Sequence, residues 1–181
     1  LSPVLGGEKA AADICLQDDE WYQARGVTVL RGEKAIAVNV ETREVQTAAR
    51  TLGWDALVFA TGSTPFIPPI PGGDAPHVFT FRTLEDTRAI QAIAGPAVVL
   101  GGGVLGLETA AALARSGDNV TLVHRGPWLM EQQLDQQAGM LLEEALAARG
   151  VRCELSSGIA AINGNSVTLL NGHSIAATRV V

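Results

Sequence analysis

Gly101, Gly103 and Gly106 stand at the spacing G-x-G-x-x-G, directly after the apolar run Ala97-Val98-Val99-Leu100 and directly before an Ala-rich stretch of helical period. Strand, glycine turn and helix in that order make a cradle for a dinucleotide diphosphate. The first glycine permits the tight turn, the second lets the diphosphate approach the backbone, and the third lets helix and strand pack closely. Gly102 fills the turn, and Val104 and Leu105 open the helix, where unpaired N–H groups and the positive dipole end favour an anion. About twenty residues past the first glycine, a dinucleotide fold places the side chain that reads the ribose. His124 and Arg125 hold that place, after the apolar strand 119–123. An acid there would hydrogen-bond the 2′-hydroxyl of NAD, whereas Arg125 and a partly charged His124 would face the 2′-phosphate of NADP. The plainer alternative is a pair of solvated strand-end residues, so NADH and NADPH both stay open.

Composition narrows what else the chain can do. Against 13 basic residues stand 19 acidic ones, a net charge of -6, which argues against a partner with a phosphate backbone such as nucleic acid. No apolar run reaches the eighteen or so residues of a membrane span, and the start lacks the layout of a signal peptide. The expectation is a soluble, cytoplasmic protein without membrane contact. Cys15 and Cys153 form no C-x-x-C pair and read as small buried hydrophobes. His77, His124 and His173 are scattered without i, i+4 spacing, so no metal site is expected. No G-x-S-x-G elbow is present, and no acid, base or nucleophile is singled out as catalytic.

The elements around the glycine turn follow from periodicity. An Ala-rich stretch, 8–16, suits a short helix, and Asp18-Asp19-Glu20 supplies a cap and first-turn acids for another over 20–25. Residues 27–30, 35–40 and 44–47 read as strands of a small antiparallel meander. Residues 54–63 read as a buried strand ending in small residues, Ala60-Thr61-Gly62, whose backbone a ligand can approach. The proline-rich run 65–73 is an extended exit. A helix is predicted over 84–94 and an amphipathic one over 133–149, with strands at 151–155, 158–162 and 166–170, the last two joined by an Asn163-Gly164-Asn165 turn. Residues 178–181 look like the opening of one more buried strand. Both ends read as cut from a longer protein.

Together these pieces resemble the two-dinucleotide-binding-domain flavoprotein reductases, the pyridine nucleotide-disulfide oxidoreductase superfamily. The marks are Ala60-Thr61-Gly62 before a Pro-Gly exit and, some forty residues on, Gly101-x-Gly103-x-x-Gly106-x-Glu108. Leu1-Ser2-Pro3-Val4-Leu5-x-Gly, Arg82-Thr83-Leu84-Glu85-Asp86 and Leu129-Met130-Glu131-x-Gln133-Leu134-Asp135 are most similar to NAD(P)H-dependent nitrite reductase large subunits. The resemblance implies an α/β, Rossmann-like fold of three-layer ββα nucleotide-binding domains of the FAD/NAD(P)-binding type, incomplete at both ends. Residues 1–88 would be the latter part of an FAD-binding domain and 95–181 an NAD(P)H-binding domain. Thr61 and Gly62, with Ala60, would approach FAD, and Ala35 would offer backbone to its adenine. Gly103, Val104 and Leu105 would lie on the NAD(P)H pyrophosphate, within a cofactor-binding stretch that begins at Gly101 and Gly102, with Ile159 also facing the cofactor. Glu108 would reach the nicotinamide end, or else serve only as a carboxylate favourable to the helix dipole. The implied function is electron entry: hydride from NAD(P)H to FAD, then electrons to a siroheme and iron-sulfur region or a small redox protein. A stand-alone rubredoxin or ferredoxin reductase, or a nucleotide-binding piece without turnover, are the alternatives. The isolated chain is expected to be inactive, and homodimer formation is left open.

Overall fold

A computed structural model describes residues 1–181. In chain order the elements are α1 (Ser2–Leu5), a 3-10 turn at Ala11–Ile14, α2 (Asp19–Gln23), β1 (Ala35–Asn39), β2 (Glu44–Thr47), β3 (Thr51–Gly53), α3 (Leu84–Gln91), β4 (Ala97–Leu100), α4 (Val104–Arg115), β5 (Val120–Val123), α5 (Gln136–Ala147), β6 (Val151–Glu154), β7 (Ile159–Asn163), β8 (Ser166–Leu169), β9 (Ser174–Ala176) and β10 (Arg179–Val180). They divide into two units, Leu1–Ile14 with Pro65–Val181, and Cys15–Thr64.

The larger unit is built on a parallel sheet in the order β10-β4-β5-β6. Parallel strands are buried on both faces, and β5 is buried along its whole length. Side chains alternate between those faces. Ala97, Val99, Val120 and Leu122 meet Leu107, Ala110 and Leu113 of α4, together with Leu5 and Ile90. Val98, Val123 and Val180 point the other way, against Ile159, Ile162, Val167, Leu169 and Ile175 of the antiparallel sheet β7-β8-β9. Helices, parallel sheet and second sheet thus form three layers, as the resemblance implies. Gly164, at φ 50, turns β7 into β8. Residues 179–180 extend the parallel sheet beside β4, the buried strand expected at that end.

The smaller unit carries α2, capped by Asp18 accepting from the Trp21 N–H, and the meander β1-β2-β3. Two strands expected there do not form. Residues 27–30 and 54–63 are irregular and largely exposed, with Val58 and Phe59 among the most exposed apolar side chains. An apolar run becomes a buried strand only where neighbours satisfy its backbone. The meander's ladder stops at Gly53, and the last bond onto it is the Trp54 N–H to the Arg43 carbonyl, 3.0 Å. Cys15 is exposed rather than buried, while Cys153 is half-buried. The helix expected over 8–16 shrinks to the single 3-10 turn. By packing, α1, α3 and the proline-rich run belong to the larger unit.

Candidate functional site

β4 ends at Leu100 and the chain turns at Gly101, whose φ of 116 is a conformation that side-chain-bearing residues rarely adopt. Its N–H donates to the Val123 carbonyl at 2.9 Å, tying the turn to the end of β5. A methyl group on Gly106 would overlap the Gly101 carbonyl oxygen, so the third glycine allows helix and turn to touch. Gly103 is different: a methyl group there would meet nothing within 4 Å. It is the N-cap of α4, extended at φ -86 and ψ 178, with no side chain capping the helix. The open approach and the uncapped helix start together suit an anionic diphosphate.

The turn also lies where such sheets bind ligands. The chain runs β4, β5, β6 to one side and then returns as β10 on the other, so the strand order reverses at β4. Crevices at the carboxyl ends of strands beside such a reversal are the usual ligand sites of open α/β sheets. Two clefts flank the turn within the larger unit. One, of about 610 Å³, is lined by Leu100, Gly101, Val123, His124, Arg125 and Ile159, and closed by Phe66, Pro68, Pro69 and Ile70. The other, of about 270 Å³, runs along Leu105, Gly106 and Thr109 of α4, with Phe79, Phe81 and Val181 opposite and Phe66 again on its wall. Phe66, Pro68 and Ile70 were not expected at the site. The signal was available, since apolar side chains inside a run that can form no regular element must cover something other than their own helix or strand.

The structure brings Gly101 to Gly106, His124, Arg125 and Ile159 together, and gives His124 a different task from the one expected. Its ring is buried; Nδ1 accepts the Gly102 N–H at 3.1 Å and Nε2 lies 2.7 Å from Glu131 Oε2. With both nitrogens engaged, the ring is a brace behind the turn and not a partner for a 2′-phosphate. A neutral imidazole with its proton on Nε2 satisfies both contacts. The Glu131 carboxyl is held below the usual carboxylate range, first by a backbone N–H and then by His124. Arg125 is exposed, lines the larger cleft and takes part in no ion pair. Glu108 is exposed on α4 and accepts a hydrogen bond from Ser2 Oγ at 2.5 Å. Ala35, at the start of β1, and Ala60, Thr61 and Gly62 all lie exposed in the smaller unit. No strand carries 60–62.

The pyridine nucleotide-disulphide oxidoreductase family profile matches residues 1–181. An assimilatory nitrate reductase electron transfer subunit of Bacillus subtilis is 38% identical over all of this chain and 24% of its own length. An NAD(P)H nitrite reductase of the same organism is 40% identical, again over all of this chain and 24% of its own. The chain therefore spans about a quarter of the length of these relatives. Among solved structures, an NAD-dependent persulfide reductase from A. fulgidus superposes with a TM-score of 0.88 at 27% identity, over 99% of this chain and 36% of that one.

Proposed function

The chain belongs to the pyridine nucleotide-disulphide oxidoreductase family, and from that premise we propose that it forms the NAD(P)H-binding, electron-entry part of a flavoprotein oxidoreductase of nitrite reductase type. The open approach to Gly103, at the uncapped head of α4, carries the reading. Bound there, NAD(P)H supplies a hydride. The amides at the start of α4 hold the diphosphate, Arg125 and Ile159 border the adenosine end in the larger cleft, and Leu105, Gly106 and Thr109 wall the opposite one. The apolar faces of Phe66, Phe79 and Phe81 keep water from that second cleft. FAD, characteristic of the family, and a downstream acceptor belong to the proposal, the acceptor being a metal-cofactor region or a small redox protein. The likeness to a nitrate reductase electron transfer subunit supports that destination. The proposal also includes a flavin-side part, 1–88, a nicotinamide part, 95–181, and a cytoplasmic location near the NAD(P)H pool.

The test is titration of the purified chain with NADH and with NADPH, followed by nucleotide fluorescence, beside the Gly103→Leu variant. Leucine there has room and an ordinary backbone conformation, so the fold stays intact while the diphosphate approach is filled. Saturable binding by the parent and a loss of about tenfold or more in the variant is the expected result, corresponding to at least one lost strong contact. Binding of neither nucleotide, or equal binding by Gly103→Leu, overturns the reading. Flavin absorbance with NADH-dependent ferricyanide reduction then separates a redox module from one that only binds.

A further inference from the structure

The segment Leu129-Met130-Glu131 lies outside both clefts, yet its three residues converge on one residue of the glycine turn, Gly102. Leu129 is fully buried, and its Cδ2 would stand 2.9 Å from a methyl group on Gly102. Met130 adopts φ 56, unusual for a residue with a long side chain, and its N–H donates to the Gly102 carbonyl at 2.9 Å. Glu131 engages His124, whose Nδ1 takes the Gly102 N–H. Gly102 is thus gripped at its N–H and its carbonyl from two different stretches of chain.

We propose that His124, Met130 and Glu131 act as positioning residues that clip Gly102 from behind and so pre-set the diphosphate site; this rests on the nucleotide-binding reading above. Glycine has the widest conformational freedom of any residue, and three in succession would otherwise have to be ordered when the ligand binds. The clip removes that cost beforehand. It also decides which amides meet the anion: the Gly102 N–H is turned inward to His124, which leaves the diphosphate to the amides from Gly103 onward. Glu131 acts one step further back, by keeping the proton of His124 on Nε2 so that Nδ1 remains an acceptor. The same packing explains Gly126, where a methyl group would stand 2.6 Å from His124 Nε2 and 2.8 Å from the Glu131 carboxyl carbon.

The experiment uses the whole chain, its His124→Phe variant, which keeps a ring behind Gly102 but removes the acceptor, and Glu131→Gln, which keeps an oxygen for Nε2–H. Nitrogen NMR is expected to show the Nε2–H tautomer of His124 in the parent. His124→Phe is expected to raise hydrogen exchange at the Gly102 amide at least about tenfold and to weaken NADH binding about tenfold, while the amides of Val99 and Leu122 exchange as before. Glu131→Gln retains most of the parent's protection and affinity. An Nδ1–H tautomer, or a His124→Phe variant that keeps either the parent's Gly102 exchange or its affinity, overturns the clip. Should the parent itself bind no NADH, the functional reading falls, and tautomer and exchange still decide whether Gly102 is held.

Discussion

Arg125 is the residue we propose to separate the two nicotinamide cofactors. It is exposed, lines the larger cleft and is free of ion pairs, so its guanidinium is available to a 2′-phosphate in a way that the engaged ring of His124 is not. Arg125→Ala is expected to weaken NADPH binding about tenfold, the worth of one charge-assisted hydrogen bond, and to leave NADH within about twofold. Titration of both nucleotides against parent and variant checks this, and equal losses for the two would remove the phosphate-facing role. The cysteines make a second contrast at this scale. Burial, followed by the nearby Glu143 carboxylate, pushes the Cys153 thiol up to about 11, while Cys15 is exposed. Since the thiolate is the nucleophile, iodoacetamide at pH 8 is expected to alkylate Cys15 at least about tenfold faster in the folded protein, as peptide mass mapping would read. The sign for stability follows from the raised value: the neutral Cys153 contributes fully below the ordinary thiol range of about 8.5, and that contribution fades as pH climbs toward 11.

Elements that owe their form to their own sequence were legible, and those that owe it to a partner were not. β4, α4 and β5 announce themselves through an unbroken apolar run, a helical period after glycine and a second apolar run, and all three stand where they were expected. The same holds for α2 and α3, whose caps Asp18 and Thr83 are visible as residue types. By contrast β3 and β9 are three residues each and exist because β2 and β8 lie beside them. Residues 54–63 fail in the opposite sense, having a strand's composition without a neighbour. At the site, the glycine spacing could be read directly. The brace from His124 to Gly102 could not, because a histidine at a strand end looks alike whether it faces ligand or backbone. In α5, Asp135 accepts the Ala138 N–H at 2.8 Å and starts the helix immediately after the segment that grips Gly102. Asp135→Ala is therefore expected to cost about 1 kcal/mol, the usual worth of an N-cap, measured by urea unfolding. An unchanged midpoint would show that Leu134 and Trp128, joined by a 3.0 Å hydrogen bond, hold the helix start without it.

Across the whole chain the buried core is confined to one unit. Every fully buried apolar side chain lies in Leu1–Ile14 or Pro65–Val181, and no residue between 15 and 64 is buried. Burial of apolar area is the main term opposing chain entropy, so the two units must differ in local stability even though both contain regular elements. The smaller unit holds its meander by ladder bonds and by the ion pair of Arg50 with Glu33, 2.9 Å, whose arginine side is half exposed, a contact worth little beside a buried core. Hydrogen exchange read by mass spectrometry is expected to find amides of β1 and β2 exchanging orders of magnitude faster than those of β4 and β5, whose bonds lie inside the three-layer core. Trypsin is likewise expected to cut first at Arg31, Lys34, Arg43 or Arg50, leaving a fragment that begins before Pro65 and retains the glycine turn. If that fragment still binds NAD(P)H, the nucleotide site does not need an intact smaller unit; exchange in β1 as slow as in β4 would instead show that the smaller unit draws stability from contacts its exposure does not reveal.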